Sequence, residues 1–484
     1  MSTPRFPLPV NQLAVQQAVL EDLPSPAPCP LPVPDPTRAF WLSPDANPLA
    51  TEGSTGPITD DADVVIVGSG LTGVGAAYHL AELLKDRPTK VVILEARDFC
   101  SGATGRNGGH LTANPFHEFV ERSTRHSTSA AVKAVAIEEY TVSSLLDIIA
   151  KHDLAGYVDL VQGGRITLLV SDEEFADAKR DFDAASSAGV DLSQIAWLTA
   201  DEVAKTFGVP HPAIQTPGNN LWPLKLVTKL YGLAKSRSPN FSLALHTHTP
   251  ATAITPSTSG PRRWAVHTPR GIVHTTHVLH ATNAYASHLL PNLASAITPT
   301  RAQVIATREH GDRIGQERME AWSANQGFEY WFPRPRQEGE ESGPLIILGG
   351  GREVASPEYE FGVADDSTVN EKVGKALRSV LPGVFGGASS EWKTEQEWTG
   401  IMGFTKLGDP FVGPVLDASG NEAPYEGQFI AAGYTGHGMP RAFACAEVVS
   451  QLIAQKLTES SEEWKAPDWL PEHYLTWNRI HRVV

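Results

Sequence analysis

Residues 63–110 read DVVIVGSGLTGVGAAYHLAELLKDRPTKVVILEARDFCSGATGRNGGH, and this stretch limits the possible folds more than any other. The unbroken apolar run at 64–67 reads as a strand of a parallel sheet covered on both faces. Gly68, Gly70 and Gly73 follow it as G-x-G-x-x-G, with Ser69, Leu71 and Thr72 between them. In such a turn the first glycine permits the tight bend, the second lets main chain approach a pyrophosphate, and the third lets the helix pack closely on the strand. The phosphates would meet unpaired N–H groups and the positive end of the helix dipole. A second strand at 91–94 ends in Glu95, whose carboxylate can accept hydrogen bonds from both ribose hydroxyls. That acid disfavours a 2'-phosphate, so FAD or NAD is expected rather than NADP.

Directly after Glu95-Ala96-Arg97 comes a loop of small residues, Ser101-Gly-Ala-Thr104-Gly-Arg106-Asn107-Gly108-Gly109-His110, which lets main chain pass close to a flat ligand. The pairing of ExR with SGATGRNGGH resembles the D-amino-acid oxidase, sarcosine oxidase and glycine oxidase superfamily, the DAO family of FAD-dependent oxidoreductases. Within it the likeness is greatest to the fungal FAD-dependent oxidoreductases and the gamma-glutamylputrescine oxidase type, over nearly the whole chain. The resemblance implies an α/β protein in which a Rossmann-like, glutathione-reductase-type FAD-binding domain is interleaved with an α+β substrate domain on a mostly antiparallel sheet. The expected division is a proline-rich arm at 1–60, FAD-binding segments at 61–115, 215–298 and 393–457, substrate-domain segments at 116–214 and 299–392, and a tail at 458–484.

Composition excludes several classes of partner. A formal net charge of -16 argues against nucleic acid or an anionic membrane, both of which reward clustered Lys and Arg. Three scattered cysteines, Cys29, Cys100 and Cys445, fit neither a disulfide framework nor a zinc site. No apolar run approaches the roughly 20 residues that span a bilayer. The start MSTPRFPLPV lacks the pattern of a secretory signal, and the end IHRVV lacks the peroxisomal tripeptide, so the cytoplasm is the expected compartment. His246, His248, His274, His277 and His280 alternate at strand spacing, yet without a cysteine or carboxylate set at ligand spacing they read as a partly exposed strand face, not a metal site.

In chain order, prolines at alternate positions from Pro24 to Pro36 favour an extended arm, and Phe40-Trp41-Leu42 should anchor it along the body. Residues 114–155 and 172–206 carry helical periodicity, with a strand at 163–170 between them. Strands are expected at 241–245, in 246–254 and in a hairpin over 264–278. By the resemblance, Ala251 meets the adenine, and Ala281 and Thr282 lie near the FAD phosphates and ribose. The runs at 301–305, 330–334 and 345–350 read as strands of a sheet roofing the flavin. The tyrosine that the family points into the pocket corresponds to Tyr330.

The last module has a strand at 429–433, then Gly433-Tyr434-Thr435-Gly436-His437-Gly438-Met439 and a helix at about 440–456. A helix N-terminus there can stabilise negative charge at the N1 and C2 carbonyl locus of a reduced flavin. GYTGHGM resembles the family's GFxGHG, the third family motif in order. The chemistry implied is loss of hydride from a carbon bearing nitrogen to FAD, hydrolysis of the imine, and reoxidation by oxygen with release of hydrogen peroxide. Catalysis of this kind rests on orientation and cofactor electronics, so no acid–base pair is required. Tyr330, His437 and Met402 are the expected pocket residues. Met402 stands where amino-acid oxidases of the family carry a carboxylate-clamping arginine, Gly436 and Pro440 replace two other family cations, and a residue near Ile347 replaces the oxygen-activating lysine. The expected substrate is therefore an amine whose carboxylate is absent or distant, with Arg106, Arg334, Arg352 and Arg441 as remaining anion clamps; Arg106 also reads as structural and the other three as surface ion pairs. A dehydrogenase using another acceptor and a non-catalytic flavin protein are the alternatives.

Overall fold

The computed structural model describes residues 6–10, 13–23, 27–258, 260–310, 318–336, 343–387 and 391–479. Pro24, Pro26 and the end Ile480 to Val484 lie outside them. The proline-dense arm contains a helix that its composition concealed, α1 (Leu13–Asp22), in a segment without proline. From residue 27 the described chain forms no helix or strand until Phe40–Leu42 makes one 3-10 turn, which buries Trp41 completely.

Among the described residues, two eight-stranded sheets follow from two different hydrophobic patterns. The continuous apolar runs form β1 (Asp61–Val67) and β2 (Thr89–Leu94), paired in parallel with α2 (Leu71–Leu83) crossing between them. Helices α3 (Phe119–Arg125) and α4 (Thr128–Lys151) lead to β3 (Arg165–Leu168) of the second sheet. Then come α5 (Asp172–Ser187), β4 (Ala196–Leu198), α6 (Ala200–Phe207) and β5 (Ala213–Thr216). The chain returns to the first sheet through α7 (Pro223–Lys235), β6 (Phe241–His246), β7 (Ala253–Pro256), β8 (Trp264–Thr268) and β9 (Gly271–His280). After α8 (Ala286–Leu289), the second sheet gains β10 (Thr298–Glu309), β11 (Ala321–Ala324), β12 (Glu329–Pro333) and β13 (Leu345–Gly349). Finally α9 (Glu371–Phe385), β14 (Trp392–Phe404), β15 (Phe411–Pro414), β16 (Gln428–Ala432) and α10 (Ala442–Thr458) complete both layers.

The first sheet runs β15-β16-β9-β1-β2-β6, with β8 and β7 attached at β9, and its strands from β16 to β6 are parallel. The second runs β14-β10-β13-β12-β11-β3-β5-β4, antiparallel except for β11 against β3. Trp392–Phe404, most of which was expected in the FAD-binding segment 393–457, is the edge strand of this second sheet. Helix α4, expected with the substrate segment 116–214, packs its Ile137, Leu145 and Ile149 into the core of the first sheet.

Small residues bring α2 and α10 together. A Cβ on Gly75 would lie 3.1 Å from the Phe443 ring, and Ser450 Oγ donates to the Ala76 carbonyl at 3.2 Å. The second sheet is covered differently on its two faces. Ile166, Leu168, Trp322, Trp331 and Leu348 pack under α9, whereas Val304, Ala306, Phe332 and Trp398 lie under Trp41 of the arm. The part of that latter face left uncovered by the arm looks onto the site.

Candidate active site

The first glycine turn is shaped by close main-chain approaches. Gly68 has φ +108°, and a Cβ there would lie 2.6 Å from the Ala281 carbonyl oxygen. Gly73 allows α2 to sit so close to β1 that its Cβ would be 2.0 Å from the Gly68 oxygen. No side chain caps α2 at Gly70. The Glu95 carboxylate is fixed from both sides: one oxygen accepts from Ser69 N and Oγ at 3.0 and 2.7 Å, the other from Arg97 N at 3.0 Å. Each oxygen retains acceptor capacity.

The small-residue loop is tied down by its arginines. Arg97 makes a bidentate pair with buried Asp366 at 2.8 and 3.1 Å. Arg106 donates to the Ser101, Thr37 and Thr399 carbonyls at 2.8, 2.7 and 2.9 Å, which makes it a structural tie and leaves it poorly placed as a clamp. Thr104 Oγ1 accepts from Leu71 N at 3.1 Å, and Trp41 donates to the Asn107 carbonyl at 2.6 Å. The three arginines expected in surface ion pairs are buried instead. Arg334 pairs with Asp159 at 2.7 Å, Arg352 is enclosed by Phe328, Phe361 and Phe404, and Arg441 holds Glu138 at 2.9 and 2.8 Å.

The second glycine turn meets the first. Thr72 Oγ1 and the Tyr434 hydroxyl share a 2.9 Å hydrogen bond. A Cβ on Gly436 would lie 3.4 Å from Met402 Sδ. His437 Nε2 lies 3.1 Å from Glu138 Oε2 and 3.2 Å from Asn114 Nδ2, so it donates to the first or accepts from the second, according to tautomer. Burial lowers the His437 pKa while Glu138 opposes it. His110 is pushed down to about 3 by burial and is neutral, and its ring stands edge-on to Tyr330 and Phe332. The Tyr330 ring fills a slot between two glycines, since Cβ atoms on Gly108 and Gly349 would lie 2.3 and 2.4 Å from it. Burial raises its phenol to about 12, which keeps it protonated.

Both turns line one cavity of about 1400 Å³. Its wall includes Gly68–Thr72, Glu95–Arg97, Thr104, Arg106–Gly108, His110, Ala251, Ala281, Thr282, Tyr330, Met402 and Gly436–Met439. Gly73, Ser101, Gly109 and Gly433, expected as cofactor contacts, stand behind that wall. Gly73 and Gly109 serve close packing, Gly433 N donates to Asn283, and the Ser101 carbonyl receives both loop arginines. Ile347 is buried under the arm, and among the described residues no lysine lines the cavity. Sequence reasoning passed over Asn114 and Glu138, which contact His437, and Arg165, which bonds to Asn114. The one available signal was a charged residue inside the otherwise apolar strand at 163–170.

The cavity suits a dinucleotide. It joins two helix starts without side-chain caps, and among the described residues Thr282 Oγ1 and His110 Nε2 are buried on its wall without a hydrogen-bond partner. The strand histidines do not converge: His248 is exposed and His274 half-buried, as a partly exposed face implies, whereas His246, His277 and His280 are buried, the last two bonded to Gly427 and Gln428. His126 and His473 instead stack at 3.8 Å and both face Asp409, at 3.5 and 3.2 Å, tying the 472–474 turn to the loop before β15.

Comparison with known proteins agrees with this geometry. The sequence profile of the DAO family, described as FAD dependent oxidoreductase, matches residues 63–452. The gamma-glutamylputrescine oxidoreductase of Escherichia coli K12 is 24% identical over 428 residues, covering 87% of this chain and 89% of its own. Glycine oxidase from Geobacillus kaustophilus superposes with a TM-score of 0.63 at 21% identity, over 84% of this chain and 97% of its own. L-proline dehydrogenase from P. horikoshii superposes with a TM-score of 0.62 at 20% identity, over 88% and 99%.

Proposed function

The chain belongs to the DAO family of FAD-dependent oxidoreductases, and from that premise we propose that it oxidises a carbon–nitrogen bond of an amine or amino-acid-like metabolite, with oxygen as final acceptor. The observation that carries this reading is the meeting of the two glycine turns on one cavity wall, joined by the Thr72–Tyr434 hydrogen bond. Bound FAD would supply the two-electron acceptor. Glu95 would hold the ribose, the start of α2 the pyrophosphate, and residues 436–439 the negative end of the ring system. The chain's own residues orient the substrate and exclude water. Tyr330 and Met402 present a protonated phenol and a polarizable thioether to the cavity, and His437 stands at its wall beside Asn114. The relatives' names, which concern gamma-glutamylputrescine, glycine and L-proline, support a nitrogen-bearing substrate.

Anaerobic mixing of the FAD-loaded protein with a panel of amines and amino acids tests the reading. Bleaching of the flavin by an amine is the expected result. Bleaching by simple D- or L-amino acids but by no amine refutes the amine assignment. A second reading, a dehydrogenase with another acceptor, is favoured by the absence of lysine from the described cavity wall. Turnover on an artificial acceptor that greatly exceeds turnover in oxygen would decide for it.

A further inference from the structure

Among the described residues four arginines line the cavity, and three of them have carboxylate partners. Arg97 and Arg106 lie at 2.8 and 3.5 Å from Asp366, and Arg180 lies 2.7 Å from Asp177. Arg165 has no ion pair among the described residues. It opens β3, where Arg165 and Thr167 face the cavity while Ile166 and Leu168 enter the core under α9.

Its guanidinium is anchored on one side only. Nη1 donates to Asn114 Oδ1 at 2.6 Å, and Nη2 reaches the Ala113 carbonyl at 3.5 Å. Nε is buried without a partner among the described residues. The Nε/Nη2 edge is the one that receives a planar carboxylate through two parallel hydrogen bonds. A half-buried cation whose buried Nε has no acceptor is costly unless something anionic meets that edge. Burial draws the Arg165 pKa down to about 10, in line with that cost, and Glu138 offsets it only at a distance.

Position along the sheet limits what the anion belongs to. β3 is two strands from β12, which carries Tyr330, and five from β14, which carries Met402. At about 4.8 Å per strand, the Arg165 backbone lies about 10 Å along the sheet from that of Tyr330, and the Asn114 side chain stands between its guanidinium and His437. We propose that Arg165 clamps a carboxylate of the substrate that is several bonds away from the carbon being oxidised, so that the substrate is an amine with a distal carboxylate. This rests on the amine-oxidation reading for the oxidised carbon, with Tyr330, Met402 and His437 surrounding it.

The test uses the FAD-loaded enzyme with straight-chain amino acids of increasing amine-to-carboxylate distance, each beside its uncharged carboxamide, in the wild type, Arg165→Gln and Arg165→Lys. Anaerobic bleaching should half-saturate at about 10–100-fold lower concentration for an acid longer than an α-amino acid than for its amide, the span of one charge-assisted bidentate pair. In Arg165→Gln that preference should vanish through a loss on the acid that exceeds any loss on the amide, and Arg165→Lys should restore part of it. Equal use of acids and amides by the wild type overturns the proposal. So does an equal loss on both in Arg165→Gln, or a changed flavin spectrum with the preference intact. Titration of the oxidised enzyme with short carboxylates, read from the flavin spectrum, separates the two readings. Carboxylates that bind the wild type but not Arg165→Gln, in a protein that no amine bleaches, keep the anion site and refute amine oxidation; no binding in either protein removes the site.

Discussion

Around the second glycine turn, one carboxylate holds several groups together. Glu138 receives Arg441, lies 3.1 Å from His437 Nε2 and accepts Asn114 N at 2.8 Å, so the turn, α4 and the loop after His110 depend on it. Glu138→Gln leaves the Arg441 cation without its counter-charge in a buried setting, and urea unfolding should show a loss of about 3–5 kcal/mol. A second substitution probes the slot around Tyr330. In Gly108→Ala the new methyl would lie 2.3 Å from the ring, so the phenol must shift, and the bound flavin's visible spectrum should shift with it. An unchanged spectrum would mean that Tyr330 does not face the flavin. The motif glycines were legible because each meets a backbone constraint that any strand–turn–helix imposes. Glu138 and Asn114 were not legible, because their partners are some 300 residues away in the chain and no local pattern marks an inward-facing carboxylate on a long helix.

Among the elements, the arm is the one whose composition misleads most. Alternating prolines suit the extended segment but gave no hint of α1, and only Phe40-Trp41-Leu42 revealed that the arm is packed. Trp41 seals the face of the second sheet formed by Val304, Phe332 and Trp398, and its indole also holds the flavin loop at Asn107. Trp41→Ala should cost about 3–5 kcal/mol of stability. It should also weaken FAD retention, measured as the fraction of flavin lost on gel filtration. Loss of stability with FAD retention unchanged would separate the arm from the site. β14 was assigned with the last FAD-binding segment because the glycine turn follows it closely in sequence, whereas its pairing with β10 is a long-range register that the local pattern does not encode.

For the molecule as a whole, charge gives two expectations. His79 and His110 are pushed by burial from the usual 6.5 to about 3, and His277 and His280 to about 4. Below pH 6.5 these four histidines bind more protons in the unfolded chain than in the folded one, so their contribution to stability is full above that pH and is lost as pH drops toward 3, while buried Glu329 and Glu353, whose carboxyls burial pushes up, oppose them at the acid end. Thermal melts between pH 7.5 and 5 should show a monotonic fall, and a maximum near pH 5 would contradict it. The exposed carboxylates of Glu121 and Glu173, with Glu118 and Asp177, line the cavity where it opens. For simple cationic amines, kcat/KM should fall several-fold between low and physiological salt, while zwitterionic amines change little. The measurement that bears most directly on the account is anaerobic titration of the purified, FAD-reconstituted protein with an amine, followed by the flavin absorbance. One FAD per chain, bleached fully by the amine, is the predicted result; a protein that stays colourless after reconstitution, or a flavin that no nitrogen compound reduces, would contradict it.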